Sequence, residues 1–368
     1  MNEADMQKYR ITDTGMRGKA LCSFCDGSLL IYRAGMFYLI ASDRKHVLNR
    51  FILPMTWWKR MLSRFRLVER ILHSEPRWAI PSGESSAYVC YGNYIFNVDV
   101  YTSAFKVENL SVRGRPLAVS RIEGMKGFDN SYIIGDYGLN PNREAVHIYQ
   151  KSDGQEEWKI TYTFKAGRIR HIHALVPDKK RNCIYILTGD EDRESGVFIA
   201  HNNFRKVVSM LEGKQSYRFC QAIPCDDSVF FLTDSPSEPN AIYAYYFGDN
   251  LLYKVASIRG SCIYGFVRGR TGFFSTTCEP DAHADNAVDY WLSRKHGAGI
   301  QDRKIEIFCV SEGVYMHLGT FESDGLPLRL MQYATASFAF CADEKCYFTP
   351  VCVKKNDMHI FEISSYVE

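Results

Sequence analysis

The 368-residue sequence has no run of about 18 or more apolar residues, the length that a helix needs to cross a bilayer. Its start, Met1 to Arg10, is polar and charged and lacks the apolar segment of a secretory signal. The net charge of +3 is too small to predict binding to nucleic acid. These absences predict a soluble, cytoplasmic protein with no transmembrane segment and no nucleic-acid partner.

Motifs for common cofactors are also missing. The sequence contains no glycine-rich phosphate loop, no nucleophile elbow and no dinucleotide-binding fingerprint. Cys22 and Cys25 form a Cys-x-x-Cys pair, but no second pair follows at the spacing of a zinc site. In a chain without a secretory signal, the twelve cysteines are expected to be reduced thiols. The motifs therefore predict no cofactor and no bound metal.

Repetition is the most informative feature that is present. Aromatic residues make up 14% of the chain, which favours strands over helices. Short aromatic and β-branched runs that end in small polar residues recur at Tyr132–Asp136, Tyr185–Asp190, Phe230–Asp234, Phe273–Thr277 and Tyr347–Pro350. The second, third and fourth runs begin 45 and 43 residues apart, the length of one four-stranded propeller blade. The sequence predicts an all-β fold, a single β-propeller domain, with seven blades and with six or eight as alternatives.

The predicted blades span approximately residues 18–54, 78–110, 116–167, 168–215, 216–259, 260–327 and 328–368. Helical periodicity occurs once, from Trp57 to Leu72, with five basic residues and one acidic residue. We interpret this segment as an insertion between blades that packs Met61, Leu62, Phe65, Val68 and Leu72 against the propeller. The alternative is a basic amphipathic helix that contacts a membrane surface or a partner protein.

The segment Lys151-Ser-Asp-Gly-Gln-Glu-Glu-Trp158 resembles the Asp-box, Ser/Thr-x-Asp-x-Gly-x-Thr-Trp, of sialidase-like (BNR) propellers. Asp153, Gly154 and Trp158 match that pattern, whereas Lys151 and Gln155 depart from it. The resemblance implies a turn between the third and fourth strands of a blade, away from the active site. It also implies that Asp153 has a structural role and not a catalytic one.

A wider stretch, Gly135 to Glu279, is similar to Asp-box propellers associated with bacterial surface-polysaccharide biosynthesis. The matching segments are Asn140–Glu144, Arg168–His173, Thr188–Asp192 and Thr277–Pro280. This similarity implies a link to glycans and no particular reaction. The arginine of the sialidase Phe-Arg-Ile-Pro signature is out of place in Arg77-Trp-Ala-Ile-Pro81, so a typical sialidase is not expected.

Propeller topology predicts that distant polar segments meet. In each blade the innermost strand starts at the end of the channel where the antiparallel second strand finishes. Arg168–His173 is read as the start of an innermost strand, and the polar ends of the repeated runs finish second strands. The catalytic residues predicted on this rim are His171, His173, Asp190 and Glu279. The predicted substrate-binding residues are Tyr137, Asn142, Arg143, Arg170, Asp192, Arg218, Gln221 and Asp234.

Alternation along a strand places His171 and His173 on one side, with Arg170 on the other unless a bulge re-aims it. Alignment with the following blade pairs Gln221 with His173 and Arg218 with Arg170. Imidazoles and carboxylates provide acid–base groups, and arginines can hold a carboxylate by paired hydrogen bonds. A metal bound by the two histidines and a carboxylate stays an alternative, as do channel hydrogen bonds and turn caps.

Three functions remain open on this evidence. The first is a hydrolase or lyase that acts on an acidic glycan in polysaccharide metabolism. The second is a non-catalytic propeller that binds a glycan or a partner protein, and the third is a metal-dependent enzyme. The segment Asp281-Ala-His-Ala-Asp285 has the composition of a metal site, but we interpret it as the beginning of a loop over the same rim.

Overall fold

The computed structural model describes residues 8–281, 285–342 and 345–366. Within these ranges, seven antiparallel sheets of four strands each surround a central channel, and one sheet carries an additional two-residue strand. The prediction of a seven-bladed β-propeller is confirmed. The middle of the Asp281–Asp285 segment lies outside the described residues.

The strands follow the chain around the ring. Blade 1 contains β2 (Lys19–Ser23), β3 (Leu29–Arg33), β4 (Met36–Ile40) and β5 (Val47–Phe51). Blade 2 contains β6 (Trp78–Pro81), β7 (Ser86–Tyr91), β8 (Tyr94–Asp99) and β9 (Phe105–Val107). Blade 3 contains β10 (Val119–Ile122), β11 (Ser131–Gly135), β12 (Val146–Ser152) and β13 (Lys159–Phe164). Blade 4 contains β14 (His171–Asp178), β15 (Cys183–Gly189), β16 (Gly196–His201) and β17 (Lys206–Glu212).

The remaining blades have the same order. Blade 5 contains β18 (Phe219–Pro224), β19 (Ser228–Thr233), β20 (Ala241–Tyr246) and β21 (Leu251–Ser257). Blade 6 contains β22 (Tyr264–Arg268), β23 (Thr271–Ser275), β24 (Lys304–Ser311) and β25 (Val314–Glu322). Blade 7 contains β26 (Thr335–Phe338), β28 (Cys346–Val351), β29 (His359–Tyr366) and β1 (Lys8–Arg17), while β27 (Phe340–Cys341) pairs with β2. The helices are α1 (Trp57–Leu62), α2 (Arg66–Leu72) and α3 (Ala287–Leu292).

The ring closes through its first strand. β1 pairs antiparallel with β29 and forms the outermost strand of blade 7, so residues from both ends of the described chain share one sheet. The pairing with β1 covers the edge of β29, and its backbone hydrogen bonds close the ring.

The repeated apolar runs are the second strands of blades 3 to 7. All seven residues of β15 are buried, because this strand is covered by neighbouring blades on both faces. The outermost strand β21 is mainly exposed to solvent. Continuous burial explains why the second strands give the strongest apolar signal in the sequence.

All seven innermost strands, β2, β6, β10, β14, β18, β22 and β26, start at the same end of the channel, which we call the entry end. The connection that carries α1 and α2 joins the outer strand of blade 1 to the inner strand of blade 2, so it lies at this end. The connection that carries α3 joins β23 to β24 and lies there too.

The single helix predicted over residues 57–72 is two short helices, with the charged side of α2 turned inward. Arg66 forms ion pairs with Glu69, Glu75 and Asp357. Arg70 is buried and forms an ion pair with a carboxylate of blade 6 and a hydrogen bond with a backbone carbonyl. The helix is therefore held to the propeller by charge and not by an apolar stripe.

The apolar side of the same segment faces outward. Met61 and Phe65, which we expected to pack against the propeller, are 47% and 64% exposed. The expectation is wrong for these two residues, because ionic and polar contacts occupy the inner side, whereas Leu62, Val68 and Leu72 are half-buried. The other exposed large apolar side chains of the segment are Trp57, Trp58, Leu67 and Ile71. None of the helices in the described residues is both long and apolar enough to cross a membrane.

Candidate functional site

Two imidazoles and one carboxylate meet at the entry end between blades 4 and 5. His171 starts β14, and Asp190 follows the last residue of β15. The Nε2 atoms of His171 and His173 lie 3.1 Å apart. Asp190 Oδ1 lies 3.4 Å from the first of these nitrogens and 3.5 Å from the second. The strand polarity predicted from the sequence thus brings these three residues together.

The other nitrogen of each imidazole contacts a backbone carbonyl. His171 Nδ1 lies 3.1 Å from the carbonyl oxygen of Gly138, and His173 Nδ1 lies 2.9 Å from that of Phe219. Since a carbonyl can only accept, both Nδ1 atoms must donate a proton. In the neutral imidazoles, the two Nε2 atoms then carry lone pairs and face each other.

A β-bulge gives His173 this position. Ile172 pairs with Thr188 and Ala174 pairs with Leu187, so His173 is the extra residue of the strand. Gly189 lies against it, since a Cβ on Gly189 would be 2.5 Å from His173 Cε1. A larger residue at position 189 would displace the imidazole.

A matching bulge in blade 5 corrects the internal alignment. Phe219 pairs with Thr233 and Gln221 with Leu232, which makes Cys220 the bulged residue equivalent to His173. The expected pairings of Gln221 with His173 and of Arg218 with Arg170 are therefore each wrong by one residue, and Arg218 aligns with His171. Gln221 instead donates to the backbone carbonyl of Ile263 at 2.7 Å.

Two arginines hold Asp190. Arg170 donates to Asp190 Oδ2 at 3.0 Å, and Arg218 lies 3.0 Å from Oδ1. Burial by itself raises the pKa of Asp190, but the imidazoles of His171 and His173 and the charge of Arg218 hold this pKa well below its usual value. Arg170 does not point to the opposite side as alternation predicted, because it leads into the strand from an irregular segment.

Asp234 extends the cluster into blade 5. It is buried, its Oδ2 lies 3.5 Å from Arg218, and it accepts a contact from Cys220 Sγ at 3.1 Å. Burial and the charge of Asp234 raise the pKa of the Cys220 thiol well above its usual value. Arg218 therefore bridges the carboxylates of two blades.

Glu279 is a carboxyl group at this end with a strongly raised pKa. Its pKa is raised from 4.5 to about 8, first by burial and then by the charge of Asp234, with Asp190 adding to the effect and Arg218 opposing it. Its Oε2 atom is buried and has no hydrogen-bond partner among the described residues. Glu279 can therefore exchange a proton near neutral pH.

Tyr137 links this cluster to a second group of charges. Its ring centroid lies 4.5 Å from that of His171 and 6.3 Å from that of His173. The guanidinium of Arg77 lies 5.3 Å from the same ring. Tyr137 thus stands between the imidazoles and the cations that line the rest of the channel end.

The cationic side chains at this end of the channel line a cavity of about 430 Å³. Lys19, Arg77 and Arg115 contribute to its wall, and Arg115 donates to the backbone carbonyls of His73 and Glu75. Arg77 and Arg115 form no ion pair with any carboxylate of the described residues, and Arg77 NH1 and Arg115 Nε are buried without a hydrogen-bond partner there. Lys19 pairs with Glu75 at 3.6 Å, so the positive charge without a carboxylate partner among the described residues is that of Arg77 and Arg115.

The pKa values reflect this excess of charge. Burial lowers the pKa of Lys19, and Arg115 and Arg77 lower it further while Glu75 opposes them. Burial and Arg115 likewise lower the pKa of His73. A bound anion would relieve the repulsion among these groups.

Aromatic side chains complete the cavity wall: Tyr264, Tyr290, Trp291 and Tyr333. Burial raises the pKa of Tyr264 and of Tyr333, so their phenols stay protonated. Trp291 is about half exposed at the opening. Aromatic faces beside hydrogen-bond donors are suited to holding the ring of a sugar.

The remaining predicted residues have other positions. Arg143 forms ion pairs with Glu191, at 2.6 Å, and with Glu194, so its guanidinium is already paired with carboxylates of the protein. Asn142 is exposed in the turn before Arg143, and Asp192 is exposed in a short 3-10 turn after β15. Arg143 is linked to the His171 cluster through Glu191, which also pairs with Arg170 at 3.2 Å.

The Asp-box-like segment lies at the other end of the propeller, in the turn between the third and fourth strands of blade 3. Asp153 binds Arg121 through two hydrogen bonds of 2.6 Å, and Trp158 is buried in the core. This position agrees with a structural role for Asp153.

Sequence reasoning missed Lys19, Arg77, Arg115, Cys220 and Tyr264. The sequence contained a signal for three of them, because Lys19 and Tyr264 begin β2 and β22 and Arg77 directly precedes β6. The rule that located His171 applies to every innermost strand and would have found them. The bulge at Cys220, which is a buried residue, had no recognisable sequence signal.

No protein-family model and no curated protein matches the sequence. The fold, however, is similar to those of several solved structures. One is a chain of the mitotic checkpoint complex, with 8% identity and a TM-score of 0.52 over 100% of this chain and 96% of that one. Another is oligogalacturonate lyase in complex with manganese, with 7% identity and a TM-score of 0.50 over 98% and 96%.

A third similar structure is the extracellular domain of a one-component system from B. thetaiotaomicron. It has 10% identity and a TM-score of 0.54, and the match covers 99% of this chain and 41% of that longer one. At such low identities, these similarities show the fold alone: this chain is a seven-bladed β-propeller, similar in architecture to one lyase of an acidic glycan and to propellers with other tasks.

Proposed function

We propose that the protein binds an acidic oligosaccharide at the entry end of its channel and cleaves it, as a lyase in preference to a hydrolase. The observation that carries the proposal is the pair of arginines without carboxylate partners, Arg77 and Arg115, in the cavity next to Glu279. The neighbour that acts on oligogalacturonate has the same overall fold and is consistent with this substrate class.

The cations define the substrate class. A uronate carboxylate can accept paired hydrogen bonds from a guanidinium, and such charge-assisted bonds are stronger than neutral ones. Lys19, Arg77 and Arg115 would hold this carboxylate, and Tyr290 and Trp291 would contact the sugar ring. A neutral sugar would leave the arginines unpaired and bind less tightly.

The same carboxylate interaction favours elimination. Neutralising a uronate carboxylate makes the neighbouring C5–H bond more acidic. Glu279, with its raised pKa, would take the C5 proton, the C4–O bond would break, and a C4–C5 double bond would form. The protonated phenol of Tyr264 or Tyr333 would supply a proton to the departing oxygen.

Hydrolysis is less well supported by the charges. A glycosidase generally needs two carboxyl groups, one of them free to act as nucleophile or base. Asp190 and Asp234 both lie at this end, but the same guanidinium, that of Arg218, lies 3.0 Å from the first and 3.5 Å from the second. These contacts commit both carboxylates to an ion-pair network.

The test is direct. Purified protein is incubated with oligogalacturonates and with their methyl esters, while ultraviolet absorbance reports the new double bond and a reducing-end assay reports total cleavage. We expect the acidic substrates to bind and to give an unsaturated product, and the esters to bind weakly. Cleavage without the double bond would support hydrolysis, and binding without cleavage would support a binding module. No binding to any uronate oligosaccharide would contradict the proposal.

A second proposal concerns the outward-facing apolar side chains near the same opening. Trp57 is 68% exposed and Phe65 is 64% exposed, and Lys59, Arg60 and Arg64 lie beside them. Tryptophan next to basic residues is typical of segments that rest in the interface of an anionic membrane. We propose that this surface contacts such a membrane, where glycan substrates can be carried.

Vesicle flotation tests the membrane contact. We expect the protein to float with phosphatidylcholine vesicles that contain phosphatidylserine, and the double change Trp57→Ala and Phe65→Ala to reduce the bound fraction about 10-fold or more, because two large apolar side chains are lost. Leu251→Ala, which removes an exposed apolar side chain from the outer strand of blade 5, is the matched control. Failure of the unmodified protein to float would instead favour a partner protein.

A further inference from the structure

We infer that His171, His173 and Asp190 form a binding site for one divalent transition-metal ion. The proposal is independent of the glycan chemistry, because it follows from the three ligand atoms alone and can be tested with the metal alone. Neutral imidazole and carboxylate are ligands that Mn²⁺, Co²⁺ and Zn²⁺ accept.

The three ligand atoms are spaced as ligands of one ion would be. The separations of 3.1, 3.4 and 3.5 Å among the two Nε2 atoms and Asp190 Oδ1 define a nearly equilateral triangle. Its centre lies about 1.9 Å from each atom, and metal–nitrogen and metal–oxygen bonds are about 2.0–2.2 Å long. An ion slightly outside the plane of the triangle would therefore contact all three atoms at ordinary bond lengths.

The two imidazoles are also oriented as metal ligands. The carbonyls of Gly138 and Phe219 fix the proton of each ring on Nδ1 and leave both Nε2 lone pairs directed at the same space. Metal-binding histidines are commonly held in this way, by a hydrogen bond from the second ring nitrogen to a carbonyl or carboxylate.

A shared proton is the competing explanation for two nitrogens at 3.1 Å. Such a proton would lie between the two imidazoles and would hold Asp190 only weakly, since Oδ1 lies 3.4 and 3.5 Å from the two nitrogens. A cation accounts for all three positions at once. The charges of Arg170 and Arg218 on Asp190 weaken its bond to a metal, and for this reason we expect a moderate affinity and not a very tight one.

The cluster contains an alternative set of ligands. His173, Cys220 and Asp234 also lie close enough together to share an ion. In that set, His173 would bind beside a thiol that keeps its proton unless a metal displaces it. We favour His171, His173 and Asp190, because their three separations all match one ion.

The experiment uses the full chain after treatment with a chelator. Titration calorimetry with MnCl₂ or ZnCl₂ should show one site in the micromolar range, and His171→Gln should weaken it about 100-fold or more. Asp190→Asn should weaken it as well. His147→Gln, a change in the third strand of blade 3, should leave the affinity unchanged.

Cobalt spectroscopy identifies the ligands without depending on a variant. The unmodified protein with Co²⁺ should show visible d–d bands and no thiolate charge-transfer band. A charge-transfer band that disappears in Cys220→Ser would overturn the ligand set in favour of the Cys220 cluster. Absence of any binding, or an affinity equal in His171→Gln and the unmodified protein, would overturn the metal site itself, whether or not the glycan proposal holds.

Discussion

Replacing Arg77 by glutamine is expected to weaken binding of uronate oligosaccharides by about 10- to 100-fold, because one or two charge-assisted hydrogen bonds to the substrate carboxylate are lost. The same change should not destabilise the fold. Arg77 has no carboxylate partner among the described residues, and its NH1 atom is buried without a hydrogen bond. Its removal therefore relieves a cost in the free protein.

Titration calorimetry with a uronate oligosaccharide and a thermal melt measure the two effects. Arg270→Gln is the matched control, since it removes the same charge at the opposite end of the propeller, where Arg270 binds Asp226 at 2.6 Å. Binding of the methyl ester should be equally weak in both variants and the unmodified protein. If Arg77→Gln and Arg270→Gln bind the acidic sugar equally well, the cavity does not recognise a carboxylate through Arg77.

The second large effect is expected for Glu279→Gln, which should lose catalytic activity while gaining stability at high pH. A group that transfers the substrate proton commonly contributes about 10²- to 10⁴-fold to the rate. Glutamine has the same shape and cannot accept the proton, so cleavage should fall by at least the lower value. Binding of the substrate should change little, because the cations that hold the carboxylate stay in place.

The sign of the stability change follows from the pKa. In the folded protein the pKa of Glu279 is raised from 4.5 to about 8, by burial and by the charge of Asp234. Between these two pH values the folded state keeps a proton that the unfolded chain has released, so the free energy of unfolding decreases as pH rises. The slope from one group is at most about 1.4 kcal/mol per pH unit.

Thermal melts from pH 5 to pH 9, with a chelator present, test this linkage. Glu279→Gln and the unmodified protein should melt at similar temperatures near pH 5, and the variant should be the more stable of the two above pH 8. Glu238→Gln changes an exposed carboxylate at the same end and should follow the unmodified protein. A constant difference across the pH range would show that Glu279 is ionised in the folded protein.

Much of the site followed from strand polarity. The runs that begin at Tyr185 and Phe230 are second strands, and their polar ends, Asp190 and Asp234, lie beside His171 and Arg218 as expected. The pattern was readable because the second strands are buried on both faces and give an unbroken apolar signal. Identical topology in every blade then fixes which ends meet.

Side-chain direction was less predictable. Alternation would point Arg170 away from His171, but Arg170 precedes β14 in an irregular segment and donates to Asp190. The internal alignment would pair Gln221 with His173, whereas the strand pairing aligns the bulged residue His173 with the bulged residue Cys220. A bulge adds one residue to a strand and reverses the faces that follow, and its position depends on packing between blades. The outward apolar side of the α1–α2 segment has a similar origin, because the ion pairs of Arg66 and Arg70 decide which side is buried.

The sequence by itself determined the architecture, the repeat of about one blade, and the end of the channel where polar residues collect. Only the tertiary structure decided which of those charges are neutralised: Arg143 and Arg218 have carboxylate partners, whereas Arg77 and Arg115 do not. The reason is that periodicity records burial along one strand, whereas neutralisation depends on which groups from different blades come within a few ångströms of each other.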